Sequence, residues 1–181
     1  MFKFLKFKKK SPSVAESLYK TIVTQARKPQ LYTKMGVPDD IDGRLSMLFM
    51  HTALVVCRLD QDLPATGQLR QDLFDCMFTD IELSLREQGV GDQGIPHRMK
   101  KLIKQFYGSV EAYRPHNEQD NTTLKDALMR NVFTNIAVEP EKIVLLSLYI
   151  NHQKTCLSAQ EIIRMAEGKL EFTGDKGKSN V

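Results

Sequence analysis

Four histidines, three cysteines and two close pairs of carboxylates are the side chains of this 181-residue chain that could carry bond-making chemistry. None sits in a pattern that performs it. His51, His97, His116 and His152 are scattered, and neither an HExxH nor a GxSxG motif nor a dinucleotide-binding fingerprint occurs. Cys57, Cys76 and Cys156 are odd in number and lack CxxC or zinc-ligand spacing. They read as free, buried thiols of a reducing compartment. Asp72 and Asp75 stand one helical turn apart. Asp80 and Glu82 are two apart and do not share a helix face. Both pairs read as solvated helix surface rather than as an acid and its base. Gly89, Gly91 and Gly94 do not form a phosphate loop, because no GK[ST] ending follows and no clear strand precedes them. An enzyme is not expected, and neither a metal nor a cofactor is implied.

The same region carries a different signal. Leu69, Leu73, Met77, Ile81 and Leu85 recur every four residues, with Phe74 and Phe78 beside them, giving one broad apolar helix face. Its polar side is assigned Asp72, Asp75, Asp80, Glu82 and Glu87. After the glycines, Met99, Leu102, Ile103, Phe106, Val110 and Tyr113 make a second apolar face, and His97, Lys100, Lys101 and Lys104 share the opposite side. Gly89 suits the left-handed end of the first helix. Pro96 suits the first turn of the second, where its missing N–H costs nothing. Two helices joined by a hinge thus present opposite charges.

The rest of the chain must position this pair. Ser11, Pro12 and Ser13 end the arm and can start a helix carrying Val14, Leu18, Ile22 and Ala26, with Pro29 as its stop. Residues 30–42 read as loop, with Asp40 or Asp42 as the next cap. Residues 45–59 are nearly all apolar. The run is shorter than the ~20 residues that span a bilayer and contains His51 and Arg58, so it reads as a central core helix. His51 is expected to be a hydrogen-bonded core histidine, with Asp80 or Glu82 as a candidate partner. Thr66 can cap the acidic-faced helix. A polar break follows Tyr113. Leu124, Ala127, Leu128, Val132 and Phe133 resume a helical pattern, and Glu139, Pro140 and Glu141 suit another helix start. The run IVLLSLYI has strand propensity, but no partner strand is evident, and helix is preferred. Residues 157–166 read as a last short helix that Gly168 stops. The expectation is an all-α single compact bundle of six or seven helices: a basic arm at 1–12, a helical domain at 13–168, and a short polar, disordered tail at 169–181.

The net charge of +4 comes from 26 basic and 22 acidic residues. Lys3, Lys6, Lys8, Lys9 and Lys10 alone outweigh it, leaving 21 basic against 22 acidic residues in the rest. The body is therefore not basic, which argues against a nucleic-acid partner. The arm interleaves Phe2, Phe4, Leu5 and Phe7 with those lysines. Such a segment can hold an anionic membrane surface, each lysine contributing about 1 kcal/mol and the rings adding apolar burial. Packing of the phenylalanines on the body is the alternative. No secretory signal follows, and the arm has no arginine and no serine before Ser11, unlike a transit peptide.

Two blocks carry a family resemblance: YTKMGVPDDIDGRLSMLFMHTALVVCRL at residues 32–59, and LREQGVGDQGIPHRMKKLIKQFYG across the hinge. The chain resembles the ubiquinol–cytochrome c chaperone family over residues 15–115, as a bacterial-type member. The resemblance implies a non-enzymatic helical assembly factor that helps cytochrome b mature and join the respiratory ubiquinol–cytochrome c oxidoreductase at the inner membrane. It implies a cytoplasmic body peripherally associated with that membrane, with a second assembly factor as a further partner. The polar residues of the second block, Arg86, Glu87, Asp92, Arg98, Lys101 and Lys104, are the candidate partner contacts. Asp92 is also a candidate cap, and Glu82 with Arg86 a plain helix pair. Tyr107 and Tyr113 read as core-edge aromatics. The alternatives are a generic peripheral-membrane interaction module and a heme-binding carrier with His51, His97 or His152 as axial ligand.

Overall fold

A helix that is apolar all round must be wrapped on every side, and the chain is organised around that requirement. The computed structural model describes residues 13–114, 121–134 and 136–173, with the backbone alone at 121–123. The arm at 1–12, including Phe2, Lys3, Phe4, Lys6, Phe7, Lys8, Lys9 and Lys10, lies outside the described residues, as do the break at 115–120 and the tail beyond 173. Among the described residues there are eight helices and no strand: α1 (Val14–Ala26), α2 (Pro29–Thr33), α3 (Ile41–Asp60), α4 (Gly67–Glu87), α5 (Ile95–Tyr113), α6 (Asn121–Asn131), α7 (Pro140–Ser158) and α8 (Ile162–Ala166). Six are long, and two are single-turn connectors. The fold is an all-α bundle.

Helix α3 is the central post. From Leu45 to Cys57 every residue is buried. Helices α1, α4, α5 and α7 pack around it, α1 also meets α4, and α6 bridges α5 to α7. Phe49 of α3, Phe78 of α4 and Phe106 of α5 lock the three helices together. Their ring centroids are 5.5 to 6.2 Å apart, and Phe106 meets both others edge to face. Such pairs contribute about 0.5–1.5 kcal/mol each beyond their buried area. The segment IVLLSLYI lies within α7, so helix is the right reading.

Local chemistry explains the helix ends. Ser13 accepts from Glu16 N–H while Glu16 accepts from Ser13 N–H, a complete capping box. Asp40 caps α3 by accepting from Gly43 N–H at 2.8 Å. Arg58 donates to the carbonyls of Leu157 and Gln160 at the end of α7, where a cation favours the negative end of the helix dipole.

Several expectations need correction. Pro29 starts a helix rather than only stopping one, because its fixed φ suits the first turn of α2. Thr66 does not cap α4; its hydroxyl donates to Leu59 O at 2.6 Å. Residues 157 and 158 close α7, and the last helix begins at Ile162. Packing also extends past residue 168: Leu170 and Phe172 belong to the core.

His51 is fully buried, and its partner is neither Asp80 nor Glu82. Nδ1 lies 2.7 Å from Met47 O and Nε2 lies 2.7 Å from the Tyr149 hydroxyl. A carbonyl can only accept, so Nδ1 carries the proton and Nε2 accepts from Tyr149 O–H. Gln25 in turn donates to the Tyr149 oxygen at 2.7 Å. Burial pushes the imidazole down to about 4 from 6.5. The unfolded chain therefore takes up this proton first as pH falls. Stability that is full above pH 6.5 is lost as pH descends toward 4, amounting to on the order of 3 kcal/mol in all. Chemical denaturation of wild type and His51→Gln at pH 7.5 and 5.5 should show the wild type losing more on acidification. Equal losses would assign the pH dependence to other groups.

Candidate functional site

The hinge between α4 and α5 is built by glycine geometry and one arginine. Gly89 has φ +83°, the left-handed region that carries no steric cost for glycine. That turn lets Gly89 N–H donate to Arg86 O at 3.0 Å and Val90 N–H donate to Leu85 O at 3.1 Å. The two bonds form a Schellman motif, with Leu85 buried and Val90 packed against the core. Arg86 then ties the hinge to the helix it leaves. Its guanidinium donates to Glu82 Oε1 at 2.9 Å and to the Asp92 carboxylate. Asp92 is therefore an ion-pair partner and not a cap of α5; the residue before α5 is Gly94, which offers no side-chain cap. The exposed triad is screened by solvent and fixes direction more than stability.

Helix α5 concentrates positive charge on its outer face. Arg98, Lys100, Lys101 and Lys104 are exposed, and none has an ion-pair partner among the described residues. No acidic residue lies in the first turn of α5. Arg98, in that turn, sits near the positive end of the dipole, an arrangement that costs tenths of a kcal/mol, while Lys100, Lys101 and Lys104 lie further along the helix. The helix is anchored from beneath by Ile95, Phe106, Val110 and Tyr113, all buried. The charge is presented on a rigid support.

Of the six candidate partner residues, the structure joins Arg86 to Asp92. It places Arg98, Lys101 and Lys104 as exposed cations and leaves Glu87 exposed at the end of α4. Tyr113 is core, but Tyr107 is 57% exposed, its ring stacked on Phe74 at 5.8 Å. Its position three residues after Lys104, next to the buried Phe106, was a usable signal for a residue on the rim of the basic face.

Asp80 is corrected most sharply, being 5% exposed rather than part of a solvated face. Tyr19 of α1 donates to it at 2.8 Å, latching α1 onto α4. Burial pushes the Asp80 carboxyl up, while the Tyr19 hydrogen bond pulls the other way. The tyrosine is itself pushed up, first by burial and then by the carboxylate beside it. Asp80 thus serves as a structural latch and Glu82 as an ion-pair partner of Arg86. Burial pushes the Cys57 and Cys76 thiols up to about 11, which makes them poor nucleophiles at neutral pH. Both ring nitrogens of His51 are engaged, so it is not placed to ligate iron. Among the described residues no three His, Cys, Asp or Glu side chains cluster as metal ligands, and no helix is long and apolar enough to cross a membrane.

Fold and site together define an all-α scaffold protein that gathers exposed cations on one firmly seated helix. Residues 33–172 match the family described as Ubiquinol-cytochrome C chaperone, and the chain belongs to it. It is 36% identical to the protein in the crystal structure of the Cbp3 homolog from Brucella abortus, with a TM-score of 0.78 and 88% of each chain covered. It is 23% identical over 150 residues to the ubiquinol-cytochrome-c reductase complex assembly factor 1 of Xenopus laevis, covering 82% of this chain and 75% of the relative. Its greater identity to the Brucella protein suits a bacterial-type member.

Proposed function

We propose that this protein is a non-enzymatic chaperone that binds cytochrome b during assembly of the ubiquinol–cytochrome c oxidoreductase. The observation that carries the reading is the outer face of α5, whose exposed cations find no counter-charge within the described chain. Such a face steers an acidic surface and fixes its orientation. Membership of an assembly-chaperone family supplies the client class. In this reading the arm at 1–12 rests on the anionic cytoplasmic face of the inner membrane. The hinge and α5 then hold exposed client segments until subunits join, with a second assembly factor as a further partner.

The test is recovery of cytochrome b from detergent-solubilised membranes, by wild type and by the triple variant Arg98→Glu, Lys101→Glu, Lys104→Glu. Circular dichroism confirms that both fold. Recovery should fall by tenfold or more in the triple variant, about 1.4 kcal/mol for each tenfold. Recovery that survives reversal would move the contact off α5. Absence of cytochrome b from the wild-type sample, under conditions that keep the oxidoreductase intact, would overturn the chaperone reading.

A further inference from the structure

Gly108 lies in the interior of α5, where glycine is the poorest residue after proline. The other structurally demanding glycines have visible reasons. Gly36, Gly89 and Gly168 adopt positive φ, and a Cβ on Gly43 would strike a backbone carbonyl. Gly108 has neither reason: its φ is ordinary, and a Cβ built there meets nothing within 4 Å. The isolated fold has no use for glycine at this position.

Its neighbours along the helix give the absence of a side chain a direction. His97, Lys101, Lys104 and Gly108 are spaced four, three and four residues apart, so they form one stripe along the exposed side of α5. A four–three spacing is the seam along which a second helix crosses. The seam is basic over its first three positions and bare at the fourth, where Tyr107, stacked on Phe74, stands alongside. From this juxtaposition we infer that α5 docks a helix of the client. That helix carries acidic residues over Lys101 and Lys104, and its backbone comes closest at Gly108, against the Tyr107 ring. Small residues allow such close approach between helix backbones. The inference deepens the chaperone reading and rests on it.

The experiment compares Gly108→Ala and Gly108→Leu with wild type for thermal midpoint and for recovery of cytochrome b from detergent-solubilised membranes. Gly108→Ala should raise the midpoint by about 2–4 °C, since the added methyl meets nothing and helix propensity improves. Recovery should fall modestly with alanine and at least tenfold with leucine, with folding intact in both. Wild-type recovery by Gly108→Leu, alongside loss in the charge-reversed triple variant, would overturn the close approach and leave the chaperone reading standing. No recovery by wild type would overturn both. If the seam instead faced lipid, Gly108→Leu would increase sedimentation with vesicles containing anionic phospholipid, and that result would also overturn the helix-docking inference.

Discussion

Gly43→Ala is expected to lower the thermal midpoint by roughly 6 °C, corresponding to about 2 kcal/mol in a chain of this size. Gly43 occupies the first turn of α3 and is buried. A Cβ there would lie 2.0 Å from Pro38 O and 2.9 Å from Pro38 C. These are backbone atoms, so no side-chain rotation relieves the overlap. The 36–40 turn is also held in place. Val37 is buried and its N–H donates to Leu31 O, Asp39 pairs with Arg44 at 2.7 Å, and a side chain on Gly36 would meet Lys142 at 2.5 Å. If the turn retreats, the Asp40 cap on Gly43 N–H is lost, which costs about 1 kcal/mol. Overpacking against a fixed wall costs about 1–3 kcal/mol. The better helix propensity of alanine returns about 1 kcal/mol, too little to reverse the sign. Circular dichroism on heating reads the effect directly. An unchanged midpoint would mean that the Pro38 carbonyl yields freely and that the turn is not a fixed wall.

Gly108→Ala is the same chemical change in the same type of element, with the opposite expected sign. The sequence alone cannot separate the two glycines, because the difference lies in what stands opposite each. The same limit explains which features were legible. The all-round apolar run of α3, the left-handed Gly89 and the first-turn Pro96 depend on local chemistry, and each is legible in the sequence. The exposed trio Arg98, Lys101 and Lys104 follows from helical spacing alone. Asp80 departs from the solvated face expected of it, although spacing holds the clue: it follows Leu73 by seven residues and Met77 by three, which puts it on the apolar stripe. Its charge outweighed its position. Its partner Tyr19 lies 61 residues away, and the Tyr149 partner of His51 lies 98 away. No window of sequence contains either pair. Asp92 illustrates a competition between two local options, a free N-terminus on α5 and the guanidinium of Arg86. The charged partner prevailed, as a stronger, charge-assisted bond would.

Phe172→Ala should cost about 3–5 kcal/mol, the usual range for deleting a buried ring, although residues 169–173 read in sequence as the start of a polar tail. Gly168, at φ +80°, ends α8 and turns the chain back toward the bundle. Leu170 and Phe172 then alternate inward, 7% and 2% exposed, while Lys169 faces outward. The Phe172 ring meets His51 edge-on at 5.4 Å, covering the buried Gln25–Tyr149–His51 chain. An extended segment without a neighbouring strand still needs partners for its backbone groups. Two glutamines supply them. Gln160 accepts from Glu171 N–H at 3.0 Å and donates to Glu171 O at 2.7 Å. Gln153, fully buried on α7, accepts from Thr173 N–H at 2.9 Å. Each side-chain amide thus stands in for a strand edge, a role that no periodic pattern reports. Equilibrium denaturation of Phe172→Ala should show the full loss at pH 7.5. It should also show a smaller additional loss on acidification than wild type shows, because an imidazole opened to water is no longer held neutral. A change below about 0.5 kcal/mol, the range of ordinary surface substitutions, would show instead that the segment is only loosely seated and that the His51 site is closed without it.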